Sequence, residues 1–400
     1  MNKPIQISAK TWWVGVNDRE TDIFEALWPL PKGISYNAYL IDDEKVALID
    51  TVKNCYTPSL LDKIKALIGT GKPVDYLIIN HMEPDHSGAI EIIARMYPEI
   101  IIVGNAKTIE YLEGYYGIRR NVKVINDGDT LDLGEHKLSF HLTPMVHWPE
   151  TMMTYAVRDK LLFSGDAFGG FGALTGGLFD DEVNVDYYED ETLRYYSNIV
   201  GKFSPMVQKA FDKLKGLDIK IIAATHGPVW RTNPGLIIDQ YDRWSRYESE
   251  RGVVLAYASM YGNTKQMAEA VSRGLVEGGI RGIRMHDVSR THISYMLKDC
   301  WRYQGIILGS VTYDMNPLIT MKHLTDLLEA KQLKNRALGI FGSYGWSGGG
   351  VKYLRQFAER TRWDLVEPVV EAQQRPSTDV LEQCRQLGRN MAAKISGNEH

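Results

Sequence analysis

Cysteine is scarce in this chain: three in 400 residues, Cys55, Cys300 and Cys384, far apart and odd in number. That excludes a disulfide framework, a cysteine-caged metal and an iron–sulfur cluster, and it suits a reducing cytoplasm. Long apolar runs are missing too. No stretch approaches the ~20 residues of a membrane span, and the start, MNKPIQISAK, has no signal-peptide apolar core. A cytoplasmic protein with no membrane association is expected. Charge of one sign is also lacking: the formal net charge is −4, which gives no electrostatic case for nucleic acid or an anionic membrane. There is no internal repeat or low-complexity tract. Neither a Walker lysine nor G-x-G-x-x-G occurs, so nucleoside triphosphates and dinucleotides are poor candidate ligands.

What is present is a globular composition, 44% hydrophobic and 24% charged, long enough for two or three domains. Up to about residue 230 the chain carries many short strand-like runs: TWWVGV, NAYLID, KVALIDT, YLIIN, IIIVGN, KLSFHLTP, KLLFSGD and KIIAATHG. Helical patterns interrupt them at Ser59 to Ile68 and Glu191 to Leu214. From Arg251 the rhythm becomes a regular alternation. Strands VVLAYAS, IRMHDV, YQGIILGS, ALGIFGS and VEPVVEA alternate with helices over Thr264 to Glu277, Leu318 to Ala330 and Val351 to Thr361. That alternation predicts a doubly wound parallel sheet. The expected domains are 1–250 and 251–400.

The most informative stretch follows YLIIN: His81, Met82, Glu83, Pro84, Asp85, His86. Two imidazoles and two carboxylates in one Pro-stiffened loop at a strand end form a set of metal ligands. His147, Asp166 and His226 sit in the same kind of position, where a strand stops and a turn begins. Together they make a set of seven: four His, two Asp and one Glu. With no thiolate, soft-metal sites are out. The set divides into two groups of two His and one carboxylate, with one Asp left to bridge. That ligand type favours non-haem iron, with zinc and manganese open alternatives. His136, His141, His286, His292, His323 and His400 lack such partners and read as surface or structural.

Three loops in the second half suggest a phosphate and a flat ring. Ser259, Met260, Tyr261, Gly262, Asn263 and Thr264 lead into a helix, whose N-terminus offers N–H groups to an anion. Ser310, Val311, Thr312, Tyr313, Asp314 and Asn316 end one strand. Ser343, Tyr344, Gly345, Trp346, Ser347 and Gly348 end another. Small residues there let the chain approach a ring, on which Tyr313 or Trp346 could stack.

The order H-x-x-x-D-H, then His, Asp and His, on this alternation of strands, resembles the metallo-β-lactamase fold. Hydrolytic members carry His at the third loop position, where this chain has Glu83. With that replacement and a flavodoxin-like second part, the chain resembles the flavodiiron proteins, flavoprotein reductases of oxygen and nitric oxide. The likeness runs nearly end to end, including GISYNAYL (Gly33 to Leu40) and HWPETM after His147. It implies an α/β architecture: an N-terminal metallo-β-lactamase-like αββα sandwich, then a C-terminal flavodoxin-like doubly wound parallel sheet. It also implies one iron on His81, Glu83 and His147, another on Asp85, His86 and His226, and Asp166 with an oxo or hydroxo group bridging. No catalytic residue beyond these ligands is implied. The loops at 259–264, 310–316 and 343–348 would hold FMN. Val311 stands where relatives commonly have Pro, which removes a fixed φ and keeps the hydroxyls.

The resemblance implies dioxygen reduction to water as the leading activity, with nitric oxide reduction to nitrous oxide at the same centre as the alternative. Two electrons on the irons and two on FMN match the four that dioxygen needs. No Cys-x-x-Cys motif occurs, so the donor is expected to be separate, a rubredoxin-like protein or reduced deazaflavin. A head-to-tail homodimer, or a dimer of dimers, would bring flavin and iron together, with Trp148 and Trp346 at the junction. The segment from Thr21 to Pro31, with Glu25 and Trp28, is expected to border the metal pocket. A dinuclear hydrolase fused to a flavodoxin, and a pure electron carrier, are the competing classes. Glu83 weighs against the first, and the complete ligand set against the second.

Overall fold

The computed structural model describes residues 3–397; His400 lies outside them. The chain divides into two compact units between Ser245 and Arg246. In the first, seven strands form one mixed sheet in the order Ile5–Gln6, Thr11–Trp13, Tyr39–Asp42, Val46–Ile49, Tyr76–Ile78, Ile101–Gly104 and Val122–Val124. A second sheet runs Thr130–Asp132, Lys137–Leu142, Met152–Ala156, Leu161–Gly165 and Ile221–Ala224. The two face each other across one apolar core: Trp13, Ile41, Ala47, Ile49 and Ile78 pack with Phe140, Met152, Leu161, Phe163 and Ala223. Strand Val46–Ile49 is buried at every position, as expected where both faces are covered. Helix Thr57–Ile68 packs beside strand Tyr39–Asp42, burying Leu60 and Ile64 one turn apart. Each such side chain contributes roughly 1.5–3 kcal/mol. This is the αββα arrangement that the family resemblance implies.

Two local features depart from the sequence pattern. The helix expected over 191–214 is broken into Val185–Tyr195, a π-helical turn Tyr196–Val200, a 3-10 turn Gly201–Phe203, and Ser204–Leu214. Pro205 has no N–H to give a preceding turn, so it starts a new helix rather than continuing an old one. Strand Met152–Ala156 (MMTYA) is central and wholly buried, but it carries neither alternation nor β-branched enrichment beyond one Thr.

Of the histidines read as structural, His136 is the most deeply engaged. Its Nδ1 is 2.7 Å from Asp43 Oδ2 and its Nε2 is 3.0 Å from Asp159 Oδ2. The Asp159 contact, against the effect of burial and with Asp43 in support, raises the imidazole above its ordinary value. A raised histidine stabilises the fold below its unfolded pKa of about 6.5, and that contribution fades as pH rises through the higher folded value. Thermal melting is therefore expected to fall on alkaline titration from pH 6. His136→Gln should flatten that slope; an unchanged slope would refute the assignment.

The second unit has five parallel strands in the order Ile283–Asp287, Glu250–Ala258, Tyr303–Tyr313, Ala337–Tyr344, Asp364–Gln373. In chain order this is 2-1-3-4-5, the flavodoxin-like winding, with its switch point between the first and third strands. Asn316–Pro317 adds a short antiparallel pairing at the end of Tyr303–Tyr313. Helices Ile293–Arg302 and Thr378–Ser396 complete the unit and were not evident from the sequence pattern. No helix among the described residues is long and apolar enough to cross a membrane.

Candidate metal centre and flavin cleft

All seven ligand-type side chains converge at one end of the sandwich. His81 and Glu83 lie in the loop after strand Tyr76–Ile78, and Asp85 and His86 follow on the short helix Pro84–Ser87, which Pro84 initiates. Strands Leu161–Gly165 and Ile221–Ala224 run parallel, with Gly165 opposite Ala224. Asp166 and Thr225 therefore emerge side by side, and Thr225 Oγ1 donates to Asp166 Oδ1 at 2.5 Å.

Asp166 divides the cluster. Its Oδ2 lies 2.9 Å from His147 Nε2 and 3.5 Å from His81 Nε2. Its Oδ1 lies 3.2 Å from His86 Nε2 and 3.5 Å from His226 Nε2. Glu83 Oε2 joins the first pair, 3.1 Å from His147 and 3.4 Å from His81. Asp85 joins the second, with Oδ2 3.3 Å from His226 and Oδ1 3.7 Å from His86. Each half thus presents two imidazoles, one terminal carboxylate and one oxygen of Asp166.

Within this cluster His81 Nε2, both Asp85 oxygens, both His86 ring nitrogens and His226 Nε2 are buried and lack a hydrogen-bond partner among the described residues. Unpaired buried polar atoms are costly, and the three Nε2 atoms and the Asp85 oxygens all converge around Asp166, as metal ligands do. The donor set of nitrogen and oxygen without sulfur fits a pair of iron ions. With protons as the only cations, electrostatics points the same way. Burial would lower His147 and His226, but contact with Asp166 (and with Glu83 or Asp85) raises them to about 9 and about 10. Burial would raise Glu83, but His147 and His81 hold it well below the usual carboxylate range. A metal ion would take the places of those protons.

The ligands are held from outside. Glu150 Oε1 lies 2.6 Å from His81 Nδ1 and accepts from the Met82 N–H at 2.9 Å. The Ser35 carbonyl oxygen takes His226 Nδ1 at 2.7 Å. Such partners fix tautomer and ring orientation, leaving Nε2 for the metal. Sequence reading passed over both; the signal for Glu150 was its place in HWPETM, and Ser35 acts through backbone, which no side-chain pattern reveals. Tyr195 was missed as well. Its ring is 5.5 Å from His226, and its buried hydroxyl has no partner among the described residues. At the mouth, Glu25 and Glu83 line a cavity of about 190 Å³ with Phe24, Tyr36 and Lys53. Trp28 Nε1 donates to Glu25 Oε2 at 2.9 Å. Burial and the neighbouring Glu83 push Glu25 up to about 7.

In the second unit the three expected loops meet beyond the carboxyl ends of the parallel strands, around a cavity of about 540 Å³. Ser259, Met260, Tyr261, Asn263 and Thr264 line one side. Val311, Thr312, Tyr313 and Asp314 line another, and Ser343, Tyr344, Gly345, Trp346 and Ser347 a third. A Cβ at Gly345 would meet nothing within 4 Å, so this wall opens onto free space where a ligand can approach the backbone. Apolar walls, hydroxyls at a helix start and exposed Trp346 on the rim fit a phosphate-bearing planar ring.

Four expected residues do not line that cavity. Ser310 is buried, its hydroxyl bonding Val311 O and Leu318 N. Asn316 is turned into the hairpin pairing with Tyr313. Gly348 packs on Glu371, and Gly262 is the helix N-cap. Met315 and Gln374 line it unforeseen. Gln374 reaches it because its N–H binds Tyr344 O at 2.7 Å, a pairing across strands far apart in sequence.

Comparison with known proteins follows the same division. A family model described as ODP family beta lactamase matches residues 34–227, and one described as Flavodoxin matches residues 255–388. The chain is 35% identical to a nitric oxide reductase of Moorella thermoacetica, covering 99% of this chain and 100% of that one. It is 35% identical to an anaerobic nitric oxide reductase flavorubredoxin of Salmonella typhi, covering 95% of this chain and 80% of the other. Among solved structures, rubredoxin oxygen:oxidoreductase from Desulfovibrio gigas superposes with a TM-score of 0.94 at 28% identity, covering 98% of this chain and 99% of that one. The flavodiiron protein of Giardia intestinalis gives the same TM-score and identity, covering 98% and 97%.

Proposed function

The chain belongs to the flavodiiron proteins, and we propose that it is an oxidoreductase that couples nitric oxide to nitrous oxide at a dinuclear iron centre, with FMN relaying electrons from an external donor. The observation that carries this reading is the division of the ligand atoms by Asp166. By it, His81, Glu83 and His147 would hold one iron, and Asp85, His86 and His226 the other. When bound, the iron pair supplies open positions that polarise a diatomic gas, and the flavin supplies further electrons. The chain's own residues set the conditions. Glu150 and Ser35 orient His81 and His226. Phe24, Tyr36 and Tyr195 surround His226 with rings that keep water out. Glu25, fixed by Trp28 at the mouth, is placed to pass protons inward.

Nitric oxide comes first because the nitric oxide reductases above match at the higher identity over most of the chain. Dioxygen reduction to water is the second reading, favoured by the end-to-end likeness to an oxygen reductase. A head-to-tail homodimer, or a dimer of dimers, is part of the proposal. Both mouths carry exposed apolar side chains, Ile23 at the metal cluster and Tyr261 and Trp346 at the flavin cleft. The site of action is placed in the cytoplasm.

The test is anaerobic purification, iron and FMN analysis, and turnover of each gas with chemically reduced rubredoxin as donor. Absence of iron, or iron with no consumption of either gas, overturns the reading. Zinc in place of iron would favour a hydrolase. Glu83→His should lower iron occupancy and cut gas consumption by about tenfold or more, with FMN content unchanged.

A further inference from the structure

Behind the ligands, aromatic rings form an unbroken series to the surface. The Trp148 indole stands edge-on to two imidazoles of one half of the centre, with ring centroids 5.0 Å from His81 and 6.3 Å from His147. Tyr111, on helix Ala106–Tyr116, lies 6.3 Å from Trp148. Tyr115, one turn along the same helix, lies 6.3 Å from Tyr111. These separations are edge-to-face contacts, with nothing between the rings. Trp148 and Tyr111 are half-buried, and Tyr115 is 54% exposed. Indole and phenol are the side-chain rings that give up an electron most readily. Electron transfer falls exponentially with the gap, so short steps between touching rings outrun one jump over the same span.

We propose that Trp148, Tyr111 and Tyr115 form a path that carries oxidising equivalents from the metal centre to the surface when dioxygen reaches it with too few electrons in supply. The proposal rests on the gas-reductase reading above. Dioxygen needs four electrons to become water; where flavin and donor deliver fewer, Trp148 supplies one. The indole is oxidised by one electron, which iron bound by His81 and His147 would accept. Tyr111 refills the indole, and Tyr115 refills Tyr111. The net loss is one electron and the phenolic proton from Tyr115; the proton passes to water, and a neutral tyrosyl radical is left at the surface. A thiol reductant restores it by giving back a hydrogen atom. The damage is thereby moved away from His81 and His147 to a residue in contact with solvent.

The experiment mixes anaerobically reduced holoprotein with excess dioxygen in the presence of the nitrone spin trap DMPO and maps adducts by peptide mass spectrometry. Iron content and gas uptake are measured on the same samples. Tyr115 should carry several-fold more adduct than Tyr187, an exposed tyrosine of the same unit outside the ring series. Tyr111→Phe should bring Tyr115 down to the Tyr187 level, with iron content unchanged, and Trp148→Phe should do the same. Iron and gas uptake without a Tyr115 adduct overturn the path alone. So does an adduct that survives Tyr111→Phe, or one that forms instead at Tyr56, reached from His226 through Tyr36. A preparation without iron or gas uptake overturns the functional reading, and the path with it.

Discussion

Asp166→Asn is expected to lose iron and gas reduction while keeping its flavin. Asp166 is fully buried, and each of its oxygens faces a different pair of imidazoles. An amide there keeps the shape but removes the shared negative charge and turns an N–H₂ group toward one half of the centre. That leaves Glu83 and Asp85 as the carboxylates facing the ligand space against two divalent ions, one negative charge fewer than the native site offers. Removing an outer partner of a metal ligand already costs about 10–100-fold in affinity or activity, and loss of the group that faces both halves should exceed that. The measurement is iron per chain, FMN per chain and uptake of both gases. Undiminished iron and uptake would sink the dinuclear assignment. The variant's Thr225 contact can persist, because the hydroxyl can accept as well as donate, so a folding defect is not expected.

The candidate metal cluster was legible because its chemistry is written in side chains at strand ends: four imidazoles and three carboxylates have few other uses there. The alternation after Arg251 was equally plain, since parallel strands buried on both faces read as apolar runs. What escaped reading depends on backbone or on distant pairing. Ser35 holds His226 through its carbonyl oxygen. Gln374 reaches the flavin cleft through a cross-strand hydrogen bond. Strand Met152–Ala156 has no periodic signature because both of its faces are covered. Helix Thr378–Ser396 carries Gly388 in its interior, and an interior glycine reads as a breaker until a neighbour's position is known.

That glycine carries the second large effect. A Cβ at Gly388 would lie 2.3 Å from Val271 O and 2.7 Å from Leu275 N, both backbone atoms of helix Asn263–Glu277. From the facing helix, a Cβ at Gly274 would lie 2.0 Å from Arg385 O. The two helices therefore touch backbone to backbone, and neither side has a flexible side chain that could give way. Around this crossing Val271, Leu275, Leu387 and Met391 form part of the unit's core. Gly388→Leu must push the helices apart and open that core. Overpacking typically costs about 1–3 kcal/mol and more where backbone is struck. Helix Asn263–Glu277 also begins at the flavin cleft, with Asn263 and Thr264 on its wall. The variant is expected to lose FMN on desalting and to melt at lower temperature, with Gly388→Ala intermediate. Iron per chain should stay at the native level, because the metal ligands belong to a unit with its own core. Native FMN retention and melting in Gly388→Leu would refute the backbone crossing. Loss of iron together with FMN would show that the two units do not hold their cofactors independently.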